Sequence, residues 1–137
     1  MLAFLDASAI IYLLEGDART RSAVRQVLKD LGRRDATPTL AVSALSRLEC
    51  RERPLRESDT QALEQLDTFF TDPGLSVIAL DTVVLDKATE LRAHHGLRTP
   101  DAIQAASLLA VNPDGAFVTG DGDFEKIPGL RVHRIPR

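Results

Sequence analysis

Short apolar segments alternate with helix-like segments along this chain, and that alternation restricts the possible fold more than any other feature. The apolar segments are LAFL at residues 2–5 and, further along, PTLAVS, LSVIAL, GAFVTG and LRVHRI. Strands that are separated by helices pair in parallel, because each helix carries the chain back across the sheet. We therefore predict an α/β fold with a parallel sheet of four to five strands and helices on both faces. A length of 137 residues suits one domain, which we expect over residues 1–137.

The segments between the predicted strands carry helix signals. In residues 18–31, Val24, Val27, Leu28 and Leu31 recur at the spacing of one helical face. We also predict a helix that starts after Asp6 and ends near Gly16, one capped by Ser43 and ended by Pro54, one over residues 58–70, one from Asp81 to Gly96, and one that starts at Pro100 with Thr99 as its cap.

The composition excludes several classes of protein. The single cysteine, Cys50, excludes an internal disulfide framework and a cysteine-based zinc site. The apolar N-terminus is interrupted by Asp6 and has no basic residue before it, which argues against a signal peptide, and no apolar run reaches the roughly 18 residues of a membrane span. We therefore expect an intracellular, cytoplasmic protein with no membrane partner. The net charge of −3 argues against a protein that coats nucleic acid by charge alone.

Acidic side chains fall where the predicted strands end or a predicted helix begins. Asp6 follows the first strand directly, Asp121 and Asp123 follow the fourth, and Asp101 lies in the first turn of a helix. The C-terminal ends of parallel strands and the starts of the following helices share one edge of the sheet, which is where such sheets bind ligands. Three separate segments are therefore expected to bring acidic side chains to the same edge.

Glu49 is a further candidate, from the helix after the second strand. It shares a helical face with Leu45 and Leu48, and these leucines predict that this face points inward. An acidic residue on such a face costs stability if it is buried without a partner. The alternative is that Glu49 lies at the edge of the face and reaches water.

A cluster of carboxylates without lysines nearby has a distinct chemistry. The charges repel one another, so the groups take up protons or bind a cation. Oxygen ligands favour a hard ion such as Mg²⁺ or Mn²⁺. Such an ion can ionise water and stabilise the charge on a phosphodiester under attack. The acidic residues therefore predict metal-assisted hydrolysis of a phosphodiester.

Each of these residues also has a purely structural interpretation. The role of Asp6 could be limited to capping the helix after it, and that of Asp101 to a favourable interaction with the helix dipole. The GDGD segment that contains Asp121 and Asp123 could be an ordinary polar turn. Arg98 lies beside Asp101 in the sequence, where it could bind an RNA phosphate or be a solvated arginine.

Four segments resemble the signature segments of PIN domains: FLDASAII, the acidic residue in the helix after strand two, TPDAIQAA and FVTGDGDFEKIPGL. Their order and spacing, over essentially the whole chain, look most like those of the small VapC-type toxins of bacterial toxin–antitoxin pairs. The resemblance implies a Mg²⁺- or Mn²⁺-dependent endoribonuclease with RNA as substrate. It also implies a homodimer and a cognate antitoxin protein that blocks the site.

The resemblance assigns roles by motif position. The residues that match the acidic quartet, implied to be catalytic and metal-binding, are Asp6, Glu49, Asp101 and Asp121. Some relatives have an acidic residue only at the position of Asp123, so either or both of Asp121 and Asp123 are candidates for metal binding. Ser8 and Thr119 match polar positions that support the site.

Other residues keep several interpretations. A local group of basic residues could contact RNA, meet an acidic antitoxin or be a solvated face: Arg47, Arg51, Arg53 and Arg56. His94 and His95 end a helix, where positive charge suits the dipole, and we do not expect them to bind metal. Cys50 is expected to be inert. The predicted helices at residues 18–31 and 58–70 are candidates for the dimer interface.

Two other functions compete with the nuclease. A catalytically inactive PIN-like module would only bind RNA or a partner, although the complete quartet argues against it. A receiver-type or phosphatase-type domain would use Asp6 as an acceptor or nucleophile. Phosphatases of that kind need a second aspartate at the position of Ser8, and the only candidate for a receiver's lysine is Lys126. No motif in the sequence identifies the RNA that is cleaved.

Overall fold

A computed structural model describes residues 1–32 and 37–136, and one parallel sheet forms the centre of this part of the chain. Its strands, in the order β3-β2-β1-β4-β5 across the sheet, are β1 (Leu2–Leu5), β2 (Thr39–Ser43), β3 (Leu75–Ile78), β4 (Ala116–Thr119) and β5 (Arg131–Arg134). Every neighbouring pair is parallel. The predicted α/β fold with a parallel sheet is confirmed, and β5 brings the sheet to five strands.

Helices connect the strands. They are α1 (Ala7–Glu15), α2 (Ala18–Gly32), α3 (Leu45–Arg56), α4 (Thr60–Phe70), α5 (Thr82–His95) and α6 (Thr99–Val111), with a short 3₁₀ helix after β4 (Gly122–Lys126). Asp6, Asp59 and Asp81 each precede a helix and accept a hydrogen bond from the backbone N–H three residues on. Gly96 ends α5 with a φ of 64°, which is the left-handed conformation that favours glycine. None of the helices in the described residues is long and apolar enough to cross a membrane.

The two faces of the sheet carry separate cores, because successive side chains of a strand point to opposite faces. Phe4 and Phe117 stack with their ring centres 5.2 Å apart in the core shared with α5 and α6. Leu5 and Val118 lie on the opposite face, in the core shared with α1, α2 and α4. Helices therefore cover both faces, as predicted.

The order in which strands are added to the sheet reverses at β1. From β1 the chain adds β2 on one side, then returns to add β4 on the other side. Leu5 is in register with Val118, so β1 and β4 end at the same level. The residues that follow these two strands therefore lie side by side at the switch point, where open α/β sheets bind their ligands.

Helix α3 differs from the prediction in two respects. Pro54 does not end the helix, which continues to Arg56. Proline removes one backbone hydrogen bond, but the Pro54 ring is buried, and burial of apolar surface offsets that loss. The inference that Leu48 marks the inward face is also wrong, because Leu48 is 64% exposed, whereas Leu45 is partly buried. The buried residues of α3 are Ser46, Cys50 and Pro54.

Two predicted caps are misplaced by one residue. Ser43 is the last residue of β2 and Ala44 is the N-cap of α3, although the Ser43 hydroxyl still accepts a hydrogen bond from the Leu45 N–H at 3.2 Å. Thr99 is the first residue of α6, and Arg98 is its N-cap without a side-chain hydrogen bond. Pro100 has no N–H, so this first turn has one donor fewer for a cap to satisfy.

Candidate active site

Asp6 is held at the end of β1 by donors from two segments. Its side chain is buried, with 4% exposure. Oδ1 accepts hydrogen bonds from the Ser8 hydroxyl at 2.7 Å and the Ala9 N–H at 2.9 Å, and Oδ2 accepts one from the Thr119 hydroxyl at 2.6 Å. Burial raises the pKa of Asp6, these three hydrogen bonds oppose the rise, and the charge of Asp121 adds to it. Asp6 does cap α1, but it also ties β1 to the end of β4.

The hydroxyls of Ser8 and Thr119 connect Asp6 to the loop after β4. The Ser8 Oγ accepts a hydrogen bond from the Gly120 N–H at 3.0 Å, and the Thr119 Oγ1 accepts one from the Asp121 N–H at 2.9 Å. Each hydroxyl thus donates to Asp6 and accepts from the loop backbone. The loop that carries Asp121 is therefore fixed relative to the Asp6 carboxylate.

Asp121 and Asp123 differ in their surroundings. The Asp121 Oδ1 accepts a hydrogen bond from the Asp123 N–H at 2.9 Å, so Asp121 caps the 3₁₀ helix. The charge of Asp121 raises the pKa of both Asp6 and Asp101, whereas that of Asp123 raises the pKa of Asp101 alone. Asp123 has an exposed side chain with its Oδ1 3.5 Å from the Lys126 Nζ. Asp121 therefore interacts with more of the acidic group than Asp123 does.

Asp101 lies in the first turn of α6, as the sequence predicts. Its pKa is raised, mainly by burial and further by the charges of Asp121 and Asp123, while the Arg98 guanidinium opposes the rise. An aspartate that only interacted with a helix dipole would have no such acidic neighbours. Asp101 thus lies near enough to the loop after β4 for the charges of Asp121 and Asp123 to act on it.

Glu49 enters the same group from α3. It is partly buried, and its Oε1 accepts a hydrogen bond from the Gln104 Nε2 at 2.7 Å. Burial raises the pKa of Glu49, the Gln104 hydrogen bond opposes the rise, and the charges of Asp101 and Asp6 add to it. The partly buried position of Glu49 agrees with the prediction, although Leu48, one of the two leucines used to infer it, is exposed.

The acidic side chains are suitable for a divalent cation but do not form a closed cage. Asp6, Glu49, Asp101 and Asp121 influence one another electrostatically, and Arg98 is the basic residue that moderates the pKa of Asp101. Within residues 1–32 and 37–136, no three carboxylate, histidine or cysteine side chains are close enough to surround an ion. Mg²⁺ keeps several waters and needs only one or two direct carboxylates, so this donor set fits Mg²⁺ or Mn²⁺ better than an ion that requires full protein coordination.

Comparison with known proteins identifies the family. The family model of the PIN domain matches residues 3–130. This chain belongs to the PIN domain family. The comparison with curated proteins found no match to this sequence.

Solved structures share the fold of this PIN domain at low sequence identity. VapBC2 from Rickettsia felis, bound to a DNA fragment from its promoter, has a TM-score of 0.79 at 20% identity over 99% of this chain and 100% of the other. A toxin–antitoxin complex from Klebsiella pneumoniae has a TM-score of 0.71 at 21% identity, over 98% of both chains. VapBC-1 from nontypeable Haemophilus influenzae has a TM-score of 0.72 at 15% identity, over 100% of both chains.

The basic residues of α3 in this PIN domain are matched by acidic partners. Arg47 and Arg51 lie 3.6 Å and 3.3 Å from Asp67. Arg53 contacts Glu15 and Glu57, both at 2.6 Å, and Arg56 lies 3.7 Å from Glu52. This pairing favours the interpretation of a solvated, locally neutral face. His94 and His95 lie exposed in the last turn of α5.

Two residues of the site, Gln104 and Gly120, have no clear signal in the sequence. Gln104 is 3% exposed and donates to Glu49, and the only sign of it in the sequence is an amide within the apolar run of α6. Gly120 packs against the Tyr12 ring so closely that any Cβ would overlap it. A side chain at position 120 would force either the Tyr12 ring or the loop that carries Asp121 to shift.

The buried thiol of Cys50 is predicted to be unreactive in the folded PIN domain. Cys50 is 2% exposed, and burial together with the charges of Glu49, Glu15 and Asp6 raises its pKa to about 12. The thiolate is the reactive form, so alkylation at neutral pH should require unfolding. A mass-spectrometric time course with iodoacetamide should show slow labelling that becomes fast in urea. Equally fast labelling with and without urea would contradict the buried position.

Proposed function

We propose that this PIN domain is a metal-dependent endoribonuclease and the toxin component of a VapC-type toxin–antitoxin pair. The observation that supports it most is the electrostatic coupling of acidic side chains from four separate segments at the switch point of the sheet. A group of raised pKa values in one place is typical of a functional site. A fold-stabilising role alone would favour neutral side chains at these positions, because like charges destabilise the folded state.

The chain's own residues would hold Mg²⁺ or Mn²⁺ at this edge. We propose as metal-binding and catalytic residues Asp6, Glu49, Asp101 and Asp121, with Asp123 as a further candidate. The bound ion would supply positive charge to the phosphodiester and make water a better nucleophile. Ser8 and Thr119 keep the Asp6 carboxylate oriented through the hydrogen bonds described above.

Arg98 is proposed to contact the RNA backbone. It is exposed at the N-cap of α6, beside the acidic group, and its charge already lowers the pKa of Asp101. An arginine in this place can bind a phosphate with two hydrogen bonds. The arginines of α3 are paired with carboxylates, so Arg98 is the better candidate for substrate binding.

Partners are proposed from the structural neighbours. Two of these neighbours are VapBC structures and the third is a toxin–antitoxin complex, and by analogy we propose that a cognate antitoxin covers the acidic edge of this chain in the cytoplasm. We also propose a homodimer. The use of residues 18–31 and 58–70 at its interface stays a prediction, although Val24 and Leu66 of these helices are fully buried within the protomer.

The test of this function is cleavage of RNA by the purified chain. We expect endonucleolytic cleavage of RNA with Mg²⁺ or Mn²⁺, loss of cleavage in excess EDTA, and recovery when Mn²⁺ is restored. Single-stranded DNA of the same sequence serves as the comparison substrate. RNA binding without cleavage under all metal conditions would favour the inactive binding module instead.

A further inference from the structure

A buried amide connects the two helices that carry Glu49 and Asp101. Gln104 lies one turn after Asp101 on α6, and its Nε2 donates to the Glu49 Oε1 at 2.7 Å and to the Ser46 Oγ at 2.9 Å. Ser46 and Glu49 are themselves one turn apart on α3. The helix that provides Asp101 therefore also holds the carboxylate of Glu49.

The orientation of this amide is set by Glu49. If the amide were turned over, its carbonyl oxygen would face the carboxylate, and two acceptors would repel each other. In the observed orientation the nitrogen uses both of its hydrogens, but the Gln104 Oε1 is buried without a hydrogen-bond partner among the described residues. An unpaired buried acceptor destabilises the folded state. The amide therefore donates a hydrogen bond to Glu49 while its own oxygen stays without a hydrogen bond.

Packing alone does not explain a glutamine at this position. The neighbouring buried residues of α6 are mainly apolar, and Ala105, Ala106 and Leu108 are all fully buried. A methionine or leucine would fill the same space without an unpaired oxygen. The polar group is therefore best explained by the carboxylate that it holds.

We propose that Gln104 is a positioning residue that fixes the Glu49 carboxylate at the acidic edge. This proposal rests on the proposed nuclease function. Gln104 itself contacts neither metal nor RNA in this account and acts through Glu49. Groups that orient the carboxylates of a metal site commonly change metal affinity or activity by about 10–100-fold when they are removed. The effect of removing the amide should disappear when Glu49 is no longer charged.

The experiment compares Gln104→Met, Glu49→Gln and the double variant with wild type. Mn²⁺ affinity is measured by the EPR signal of free Mn²⁺, and kcat and KM are measured on an RNA oligonucleotide. We expect Gln104→Met to lower kcat and Mn²⁺ affinity by about 10–100-fold with little change in KM. In the Glu49→Gln background the same substitution should have no further effect on either quantity.

The control is Ser107→Ala, which removes another buried hydrogen bond from the same helix. The Ser107 hydroxyl donates to the Ile103 carbonyl at 2.7 Å, and this variant should keep wild-type kcat and Mn²⁺ affinity.

Gln104→Leu is made in parallel, and loss of folding in both Gln104 variants would overturn the proposal by making the amide a structural residue. Additive effects of Gln104→Met and Glu49→Gln would also overturn it. A wild type that neither binds Mn²⁺ nor cleaves RNA would refute the proposed function itself, whereas an active wild type matched by Gln104→Met would refute only the role of Gln104.

Discussion

Asp101→Asn is expected to reduce RNA cleavage by orders of magnitude while leaving the metal-free protein at least as stable as wild type. The substitution keeps the shape of the side chain and removes its charge. Without metal, that charge is disfavoured by burial and by Asp121 and Asp123, which together raise the pKa of Asp101 against the opposing effect of Arg98. Loss of a favourable helix-dipole interaction, worth about 0.3–1 kcal/mol, works in the other direction and is screened by salt.

The stability difference should depend on pH with a definite sign. The pKa of Asp101 is higher in the folded protein than its ordinary value of 3.8. At any pH between the ordinary pKa and the pKa in the folded state, the folded protein therefore binds more protons than the unfolded protein. The metal-free wild type therefore loses stability relative to Asp101→Asn as the pH rises through this window, and the difference is constant above it. Chemical denaturation in EDTA over a series of pH values that starts below 3.8 follows this change.

Bound Mn²⁺ should make the wild type more stable than Asp101→Asn. Ligand binding to the folded state stabilises it by about 2.7 kcal/mol when the free Mn²⁺ concentration is 100 times Kd. We expect a large increase in Tm for wild type and a much smaller one for Asp101→Asn. Asp86→Asn, at an exposed position on α5, is the matched control and should behave as wild type. A metal-free Asp101→Asn that is less stable than wild type, yet responds to Mn²⁺ and cleaves RNA normally, would return Asp101 to a purely structural role.

Asp6→Asn and Asp6→Ala are expected to abolish cleavage equally but to differ in stability. An asparagine oxygen can still accept from the Ser8 hydroxyl and the Ala9 N–H, which are the donors to one Asp6 oxygen. Asp6→Asn should therefore remain within about 1 kcal/mol of wild type, whereas Asp6→Ala loses the helix cap at a cost of about 0.5–2 kcal/mol and leaves Ser8 and Thr119 without their acceptor. Cleavage rates together with the free energy of unfolding test both halves of this expectation.

Asp81 provides a matched control for the capping role. Its side chain accepts from the Val84 N–H at 3.0 Å with a backbone conformation close to that of Asp6, but it precedes α5. Asp81→Ala should destabilise the fold by a similar amount, about 0.5–2 kcal/mol, and keep wild-type cleavage. If Asp6→Asn also kept wild-type cleavage, Asp6 would be a helix cap only and the proposed site would be wrong.

The positions of Asp6, Asp101 and Asp121 could be predicted because they depend on backbone topology. Strands that alternate with helices give a parallel sheet, and the ends of its strands meet at one edge whatever the details of packing. Asp6 directly follows β1 and Asp121 lies just beyond β4, so their proximity follows from the strand order. The helix that starts after Asp81 and ends at Gly96 was predicted from its local cap residues, which also depend on the backbone alone.

Details of side-chain packing could not be predicted in this way. Leu48 was wrongly predicted to point inward, because α3 buries Ser46, Cys50 and Pro54 and leaves Leu48 exposed. Gln104 and Gly120 act through contacts with residues distant in sequence, Glu49 and Tyr12. Such contacts exist only after the helices have packed, so no local pattern reports them.

The most direct test of the account measures Mn²⁺ binding and RNA cleavage in the same samples. Free Mn²⁺ is followed by EPR while cleavage is followed on a labelled RNA, for wild type and for Asp101→Asn. We expect cleavage by wild type to rise over the same range of Mn²⁺ concentration as binding, and both to be lost together in Asp101→Asn. Cleavage that persists in EDTA, or Mn²⁺ binding that is unchanged in Asp101→Asn, would contradict the claim that these carboxylates form a catalytic metal site.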